Sequence, residues 1–261
     1  MKFEETRVFN FEGAFRGMRN PLESWKKSDS EYKWSSMSFE IGKNDLELAQ
    51  KLIRAGSVHR KFMRQIFVSV DITAPLYWWK EFDTYKIGTV ANSTSTMHKL
   101  ASTPISRYCF EMDDFQDFTF VIQEDEFVAE FYNSSREWER EIRMLEILRV
   151  KYLETKEKKY WKALIRRLPE SWLRTRTVTM NYENLLCICS EGQRRNHKLT
   201  EWSRSFIDWA KSLPYANELL FVDKKREVDF VMKYENGVYK CKYNSGEEFE
   251  SSDGETWVQI L

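Results

Sequence analysis

The residue types that most often announce a chemistry are thin in this chain. It has three histidines, scattered and without a carboxylate cluster beside them, which argues against a metal site. Its four cysteines, Cys109, Cys187, Cys189 and Cys241, contain no C-x-x-C spacing. That excludes the usual zinc pair and redox dithiol and leaves reduced core thiols, as expected of a cytoplasmic protein. Net charge is also missing: 41 basic residues balance 41 acidic ones. A neutral chain is not a general nucleic-acid binder, so no nucleic-acid partner is expected. No apolar run approaches a membrane span, and Met1-Lys2-Phe3-Glu4-Glu5 begins no signal peptide, so no membrane partner is expected either.

Aromatic residues are abundant instead, at 15% with ten tryptophans, which excludes a disordered or low-complexity chain. At 261 residues there is room for one large domain or two small ones with a substantial core.

The chain is organised around residues 65–100. Ile66, Val68, Val70 and Ile72 alternate with Ser69, Asp71 and Thr73, the period of a strand with one buried face. Ala74-Pro75 ends that strand, and proline is well placed to begin a helix. A helix over about 75–85 would turn Trp78, Trp79 and Phe82 to the core. Then come Thr89, Asn92, Ser93, Thr94, Ser95 and Thr96, a run of small hydrogen-bonding groups suited to a polar ligand. The plainer reading of that run is a solvated turn with local Ser/Thr capping.

Elsewhere the pattern predicts an α+β fold: a mainly antiparallel sheet, with strands at about 33–41, 65–73 and 171–179, packed with helices. A short strand is expected over 8–11 and a loop over 24–33. Asn44 or Asp45 is a good N-cap for a helix whose C-cap falls at Gly56. Residues 101–134, acidic and rich in phenylalanine, read as a partly solvated helical insert with its aromatics inward. Helical periods follow over 135–155, 158–167, 182–189 and 199–213. Beyond Pro214, the Asn236-Gly237 turn flanked by alternating residues predicts a C-terminal β-hairpin. The division expected is a domain over 1–214 and a hairpin extension over 215–261.

Three blocks of this sequence resemble the flavin-dependent thymidylate synthases, the ThyX family. Setting Ala74-Pro75 on the family's A-P places Thr84-Tyr85-Lys86 on its R-H-R triplet and Thr89 on the serine that follows. Ala91-Asn92 then falls on N-E, Thr94 on the second serine and Thr96 on the last arginine. A second block runs from Leu168-Pro169 to Asn181-Tyr182-Glu183-Asn184-Leu185, which sits on N-A-R-S-L. Arg195 lies seven residues before Trp202, as the family's catalytic arginine lies before its tryptophan. About three extra residues within 189–193 make Arg194 a substitute for it. A weaker early block puts Ala14 to Pro21 on A-V-R-A-A-R-V-S. The strong charges are replaced: the family's phosphate-gripping arginine lands on Ile165, beside Arg166, and a family histidine lands on Gln65.

The resemblance implies a ThyX-like domain that methylates dUMP reductively to dTMP, using FAD, methylenetetrahydrofolate and NADPH. Its catalytic residues would be Arg195, with Arg194 in reserve. Thr84, Tyr85, Lys86, Asn92 and Asn181 would meet the cofactor, and Glu81, Thr89, Thr94, Ser95 and Thr96 the substrate. Partners would be the pyrimidine nucleotide, the folate, NADPH and three further copies in a homotetramer whose subunits complete one another's sites. The alternative is a catalytically inactive or repurposed homologue that binds nucleotide or flavin, or acts as a scaffold. Lys80, Arg166, Arg174, Arg176 and Lys198 lie near the matched blocks and are the candidates to replace the lost charges.

Overall fold

The computed structural model describes the chain except residues 96–98, 114, 126–127, 190–193, 223–229, 244–247, 254–255, 257 and 260–261. It forms two compact units, Met1–Phe221 and Val222–Leu261.

The first unit is built on a four-stranded antiparallel sheet. Its strands are β1 (Lys2–Phe9), β4 (Phe67–Pro75), β5 (Val90–Ser93) and β8 (Leu173–Asn181), in the order β1-β4-β8-β5. β4 and β8 pair along their whole length, from Phe67 opposite Asn181 to Pro75 opposite Leu173. The alternation in β4 sends Val68, Val70, Ile72 and Ala74 inward, where all four are fully buried with Val178 and Met180 of β8. The opposite face carries Ser69, Asp71 and Thr73 beside Thr175, Thr177 and Thr179. There Thr73 and Thr175 share a hydrogen bond of 2.7 Å, and the Thr177 hydroxyl donates to Asp71 at 2.6 Å.

Helices cover the apolar face. They are α1 (Phe11–Met18), α2 (Lys43–Arg54), α3 (Leu76–Phe82), α4 (Ser134–Thr155), α5 (Lys158–Arg166), α6 (Tyr182–Cys189), α7 (Ile207–Lys211) and the single turn α8 (Ala216–Leu219). Trp78 stacks on Trp202 at 4.6 Å and on Phe82 at 5.0 Å, so α3 and the segment ahead of α7 share one aromatic core. Burial of a large aromatic side chain contributes about 1.5–3 kcal/mol, enough for this stack to fix α3 against the sheet. A second cluster, Leu100, Ile105, Phe110, Leu145 and Leu164, seats α4 and α5.

Several expectations need correction. The first strand spans Lys2–Phe9 rather than 8–11, because Asn10 turns left-handed (φ 69°) and α1 starts at Phe11. The strand expected over 33–41 is a hairpin of β2 (Glu31–Lys33) and β3 (Ser38–Glu40), and β2 begins inside the expected loop. Neither Asn44 nor Asp45 caps α2. Its N-cap is Gly42, and the backbone N–H groups of Asn44 and Asp45 donate to the carboxylate of Asp29, fifteen residues back from Asn44. Gly56 does take a left-handed φ of 100° just past the end of α2, as its C-terminal position requires. The helix expected over 75–85 is shorter, with Pro75 closing β4 and serving as N-cap of α3. The helix expected from 199 begins as a π-turn, Glu201–Phe206, before α7.

The largest correction concerns 101–134. It holds a hairpin, β6 (Thr119–Asp125) and β7 (Val128–Asn133), where a helix was expected. Nor are its aromatics uniformly inward: Phe118 and Phe120 stack on each other while about half exposed.

In the second unit β9 (Phe230–Glu235) and β10 (Val238–Tyr243) form the expected hairpin, with Asn236 and Gly237 both at positive φ. β11 (Glu248–Ser251) and β12 (Val258–Gln259) extend it to a four-stranded antiparallel meander.

Candidate functional site

The site region grows from α3 and the loop that follows it. The inner face of α3 is fixed by Trp78, Trp79 and Phe82, which leaves Glu81 on the outer side and Tyr85 just past the C-terminus. Both meet Arg194. Its Nη1 donates to Glu81 Oε2 at 2.5 Å and its Nε donates to the Tyr85 hydroxyl at 2.9 Å. The guanidinium lies 4.3 Å above the Trp202 ring, and His197 Nε2 stands 3.6 Å from the same Glu81 oxygen. The Arg194 side chain is 12% exposed, so this is a largely desolvated cation, held through Nε and Nη1.

Arg195 points elsewhere. Its Nε donates to the carbonyl of Cys189 at 2.8 Å, tying off the end of α6, and its guanidinium lies 4.8 Å over Phe221. Burial beside it pushes the Cys189 thiol up to about 12, which makes that cysteine an inert core group.

The loop after α3 contacts the start of α6. Asn181 and Asn184 cap that helix reciprocally: each side-chain oxygen accepts from the other residue's backbone N–H, at 3.0 and 3.1 Å. The Asn184 amide also donates to Ile87 O. Gly88 sits against this pair at φ 74°, where an added Cβ would lie 2.8 Å from Asn181 Nδ2. Thr89 has its hydroxyl oxygen buried without a hydrogen-bond partner. Thr84 donates to Glu81 O at 2.7 Å and so finishes α3, and Lys86 is exposed. Ile87 and Gly88 of this loop are therefore neighbours of Asn181 and Asn184.

Asn92, Thr94 and Ser95 lead away from that corner. Asn92 pairs with Thr177 on β8, and Thr94 donates to Thr175 O through its N–H and its hydroxyl, at 3.0 and 3.2 Å. Thr96 lies outside the described residues. Thr94 and Ser95 line a cleft of about 600 Å³ with the cations Lys2, Lys99 and Arg107 and the aromatics Phe110 and Trp172. The acid in its wall, Asp113, is paired at 3.1 Å with the N-terminal ammonium. The cleft thus combines hydroxyls, excess positive charge and aromatic faces.

The proposed replacement charges divide. Arg176 holds Asp83 through two hydrogen bonds (2.6 and 3.3 Å) and lies 4.2 Å over Trp79. Lys80 pairs with Glu170 at 2.6 Å. Burial, then the neighbouring Arg176, holds the Arg174 guanidinium below its ordinary range. Arg166 and Lys198 are exposed.

Sequence reasoning missed Lys2, Lys99, Arg107 and Trp172, because no short spacing links residues that only tertiary folding gathers. It also missed Tyr77, whose hydroxyl donates to the buried Glu201 and lies 3.2 Å from Glu111. Burial, with Glu201 adding like charge, pushes the Glu111 carboxyl above its ordinary range.

No protein-family model and no curated protein matches the chain. Solved structures do. The flavin-dependent thymidylate synthase ThyX of Helicobacter pylori, complexed with FAD and dUMP, is similar over 85% of this chain and 98% of its own, with a TM-score of 0.57 and 15% identity. A second structure of the H. pylori enzyme with FAD and dUMP covers 87% and 100%, with the same TM-score and 16% identity. The likeness is one of fold. It holds over nearly the whole ThyX chain.

Proposed function

We propose that this chain is a divergent thymidylate synthase-like protein that binds a pyrimidine nucleotide of the dUMP class in the cleft walled by Thr94, Ser95, Lys99 and Arg107. The observation that carries the reading is that cleft. It sits beside the polar run after α3, in a fold similar to one solved with dUMP and FAD. Lys2, Lys99 and Arg107 supply charge for a phosphate, Thr94 and Ser95 supply hydroxyl oxygens, and Trp172 offers a ring face to a base.

FAD, methylenetetrahydrofolate and NADPH complete the proposed reactant set for reductive methylation to dTMP. The residues present fit a flavin loosely. The unpartnered buried hydroxyl of Thr89, the exposed ammonium of Lys86, the Tyr85 ring and Asn181 are the groups that would hold it. When bound, the flavin supplies the reducing electrons. One lysine offers a point charge where a pair of guanidiniums would offer two planar forks. Each missing charge-assisted bond removes about 1.5–3 kcal/mol, so flavin binding is expected to be weak.

Arg194 does not line that cleft; supplied by a neighbouring copy of the chain, it is the proposed stabiliser of charge on the uracil ring, since a guanidinium stays ionised and presents several donors. Glu81 now holds it, and the nucleotide must displace or share that carboxylate. This engagement, with Arg195 committed to Cys189 O, is the specific observation favouring a second reading: a homologue that binds nucleotide without turning it over.

Isothermal calorimetry with dUMP, fluorescence titration with FAD and tritium release from 5-tritiated dUMP separate these. Binding of dUMP together with tritium release supports the synthase. Binding without release supports the second reading. No heat with dUMP up to millimolar concentration removes both.

A further inference from the structure

The positive charge along the nucleotide cleft is larger than one phosphate needs. Lys2 enters the lining from the start of β1, where it lies opposite Thr73 of β4. Lys99 follows Ser95, with its backbone N–H donating to Ser95 O at 3.0 Å, and Arg107 opens the short turn Arg107–Cys109. The three cations are exposed and come from three separate stretches of chain. Among the described residues, none of the three side chains meets an acid within ion-pair distance. The acid in the wall, Asp113, is held by the N-terminal ammonium at 3.1 Å.

Much of the remaining lining is apolar. Leu100 and Phe110 are buried, and Phe110 meets Trp172 edge to face at 5.4 Å. A ring therefore has apolar surface to bury against, while the cations stay in water, where a charged tail is held. The size of that tail follows from the charge. A phosphate ester carries about 1.5–2 negative charges at neutral pH. One such group leaves part of the positive charge unmet. A chain of two or three phosphates carries more charge and spreads it over a greater length, so it can meet all three cations at once.

We infer that the cleft is built for a pyrimidine nucleoside di- or triphosphate, whose phosphate chain lies along Lys2, Lys99 and Arg107. The inference rests on the nucleotide reading and extends it. Monophosphate and polyphosphate compete for one cleft, and the polyphosphate is held more tightly. An added charge-assisted contact raises affinity on the order of 10-fold. The preference is electrostatic, so salt weakens it, and magnesium bound to the phosphates weakens it by cancelling part of their charge.

Isothermal calorimetry of the full chain with dUMP, dUDP, dUTP and inorganic tripolyphosphate, at low salt and with EDTA, tests this. dUTP is expected to bind about 10-fold more tightly than dUMP, with dUDP between them, and to displace dUMP. K99Q/R107Q is expected to bring the ratio of dUTP to dUMP affinity near unity. Lys162→Gln, which removes an exposed cation of α5 outside the cleft, is expected to leave that ratio unchanged. The substituted side chains are exposed, and circular dichroism confirms that each variant is folded. dUMP binding as tightly as dUTP overturns the inference and leaves the nucleotide reading standing, as does a ratio that survives in K99Q/R107Q. Tripolyphosphate binding as tightly as dUTP also overturns it, because the ring then contributes nothing. No heat with any of the three nucleotides removes the nucleotide reading and the inference with it.

Discussion

Glu111 shows how one half-buried acid couples this molecule to pH. Its carboxyl is raised by burial and by Glu201, and it accepts from the Asp113 N–H at 2.6 Å and faces the Tyr77 hydroxyl. A carboxyl raised on folding binds more protons in the folded chain than in the unfolded one, between the ordinary and the raised pKa. Stability from this group therefore falls as pH rises through that window and stays reduced at neutral pH. Glu111→Gln keeps an acceptor and removes the charge, so it is expected to raise Tm at pH 7.5 and to leave Tm unchanged below pH 4. Thermal melts at the two pH values check it. Asp45 works in the opposite sense. Burial alone would raise it, but hydrogen bonds from Ser28 and Ser30 and the Arg19 guanidinium outweigh burial and hold it below the carboxylate range. Its contribution is present above the ordinary carboxylate pKa and is lost as pH falls through the folded one. Together these two groups favour a stability maximum well into the acidic range, near the ordinary carboxylate pKa values, rather than at neutrality.

At the scale of the element, the turn between α3 and β5 depends on Gly88. Its positive φ and the 2.8 Å approach of Asn181 Nδ2 leave no room for a side chain. Gly88→Ala is expected to destabilise by about 1–3 kcal/mol, through backbone strain and displacement of the Asn181–Asn184 cap. It should also weaken FAD binding more than dUMP binding, because Thr94 and Ser95 lie at the far end of the strand. Thermal melts and the two titrations read these effects. Elements with one strong period were legible in the sequence: β4, α4, α6 and the Asn236-Gly237 hairpin all declared themselves through alternation, helical spacing or turn chemistry. The 119–133 hairpin did not. Its phenylalanines were counted as core, yet Phe118 and Phe120 cover each other on the surface, and burial of that kind has no sequence period. The cap of α2 was illegible for a related reason, since Asp29 reaches it through space. The cleft was half legible: Thr94 and Ser95 stood out as a polar run, while Lys2, Lys99 and Arg107 are gathered only by the fold.

For the whole molecule, the open face of the central sheet is the feature that bears on assembly. Phe9 (49% exposed) lies opposite Phe67 (43%), and Val90 (72%) flanks the exposed Thr179 on the same face. A sheet face of this size with apolar groups on it is a surface that another chain can cover. We therefore expect a homotetramer of dihedral symmetry, in which this sheet face supplies one of the interfaces. Light scattering coupled to size exclusion should return four times the 31.5 kDa of the chain, and a stable 31.5 kDa species at micromolar concentration would remove the expectation.

The aromatic stack beneath Arg194 has an optical consequence. Trp78 and Trp202 lie 4.6 Å apart with 29° between their planes, so their indoles behave as one coupled chromophore rather than two independent absorbers. A guanidinium held 4.3 Å above one of them biases the charge-separated excited state of that ring and thus its emission wavelength. Any ligand that draws Arg194 away from Glu81 lifts that charge off the indole. The protein thereby carries its own unlabelled reporter of whether this arginine is clasped or released, in its near-ultraviolet dichroism and its tryptophan fluorescence.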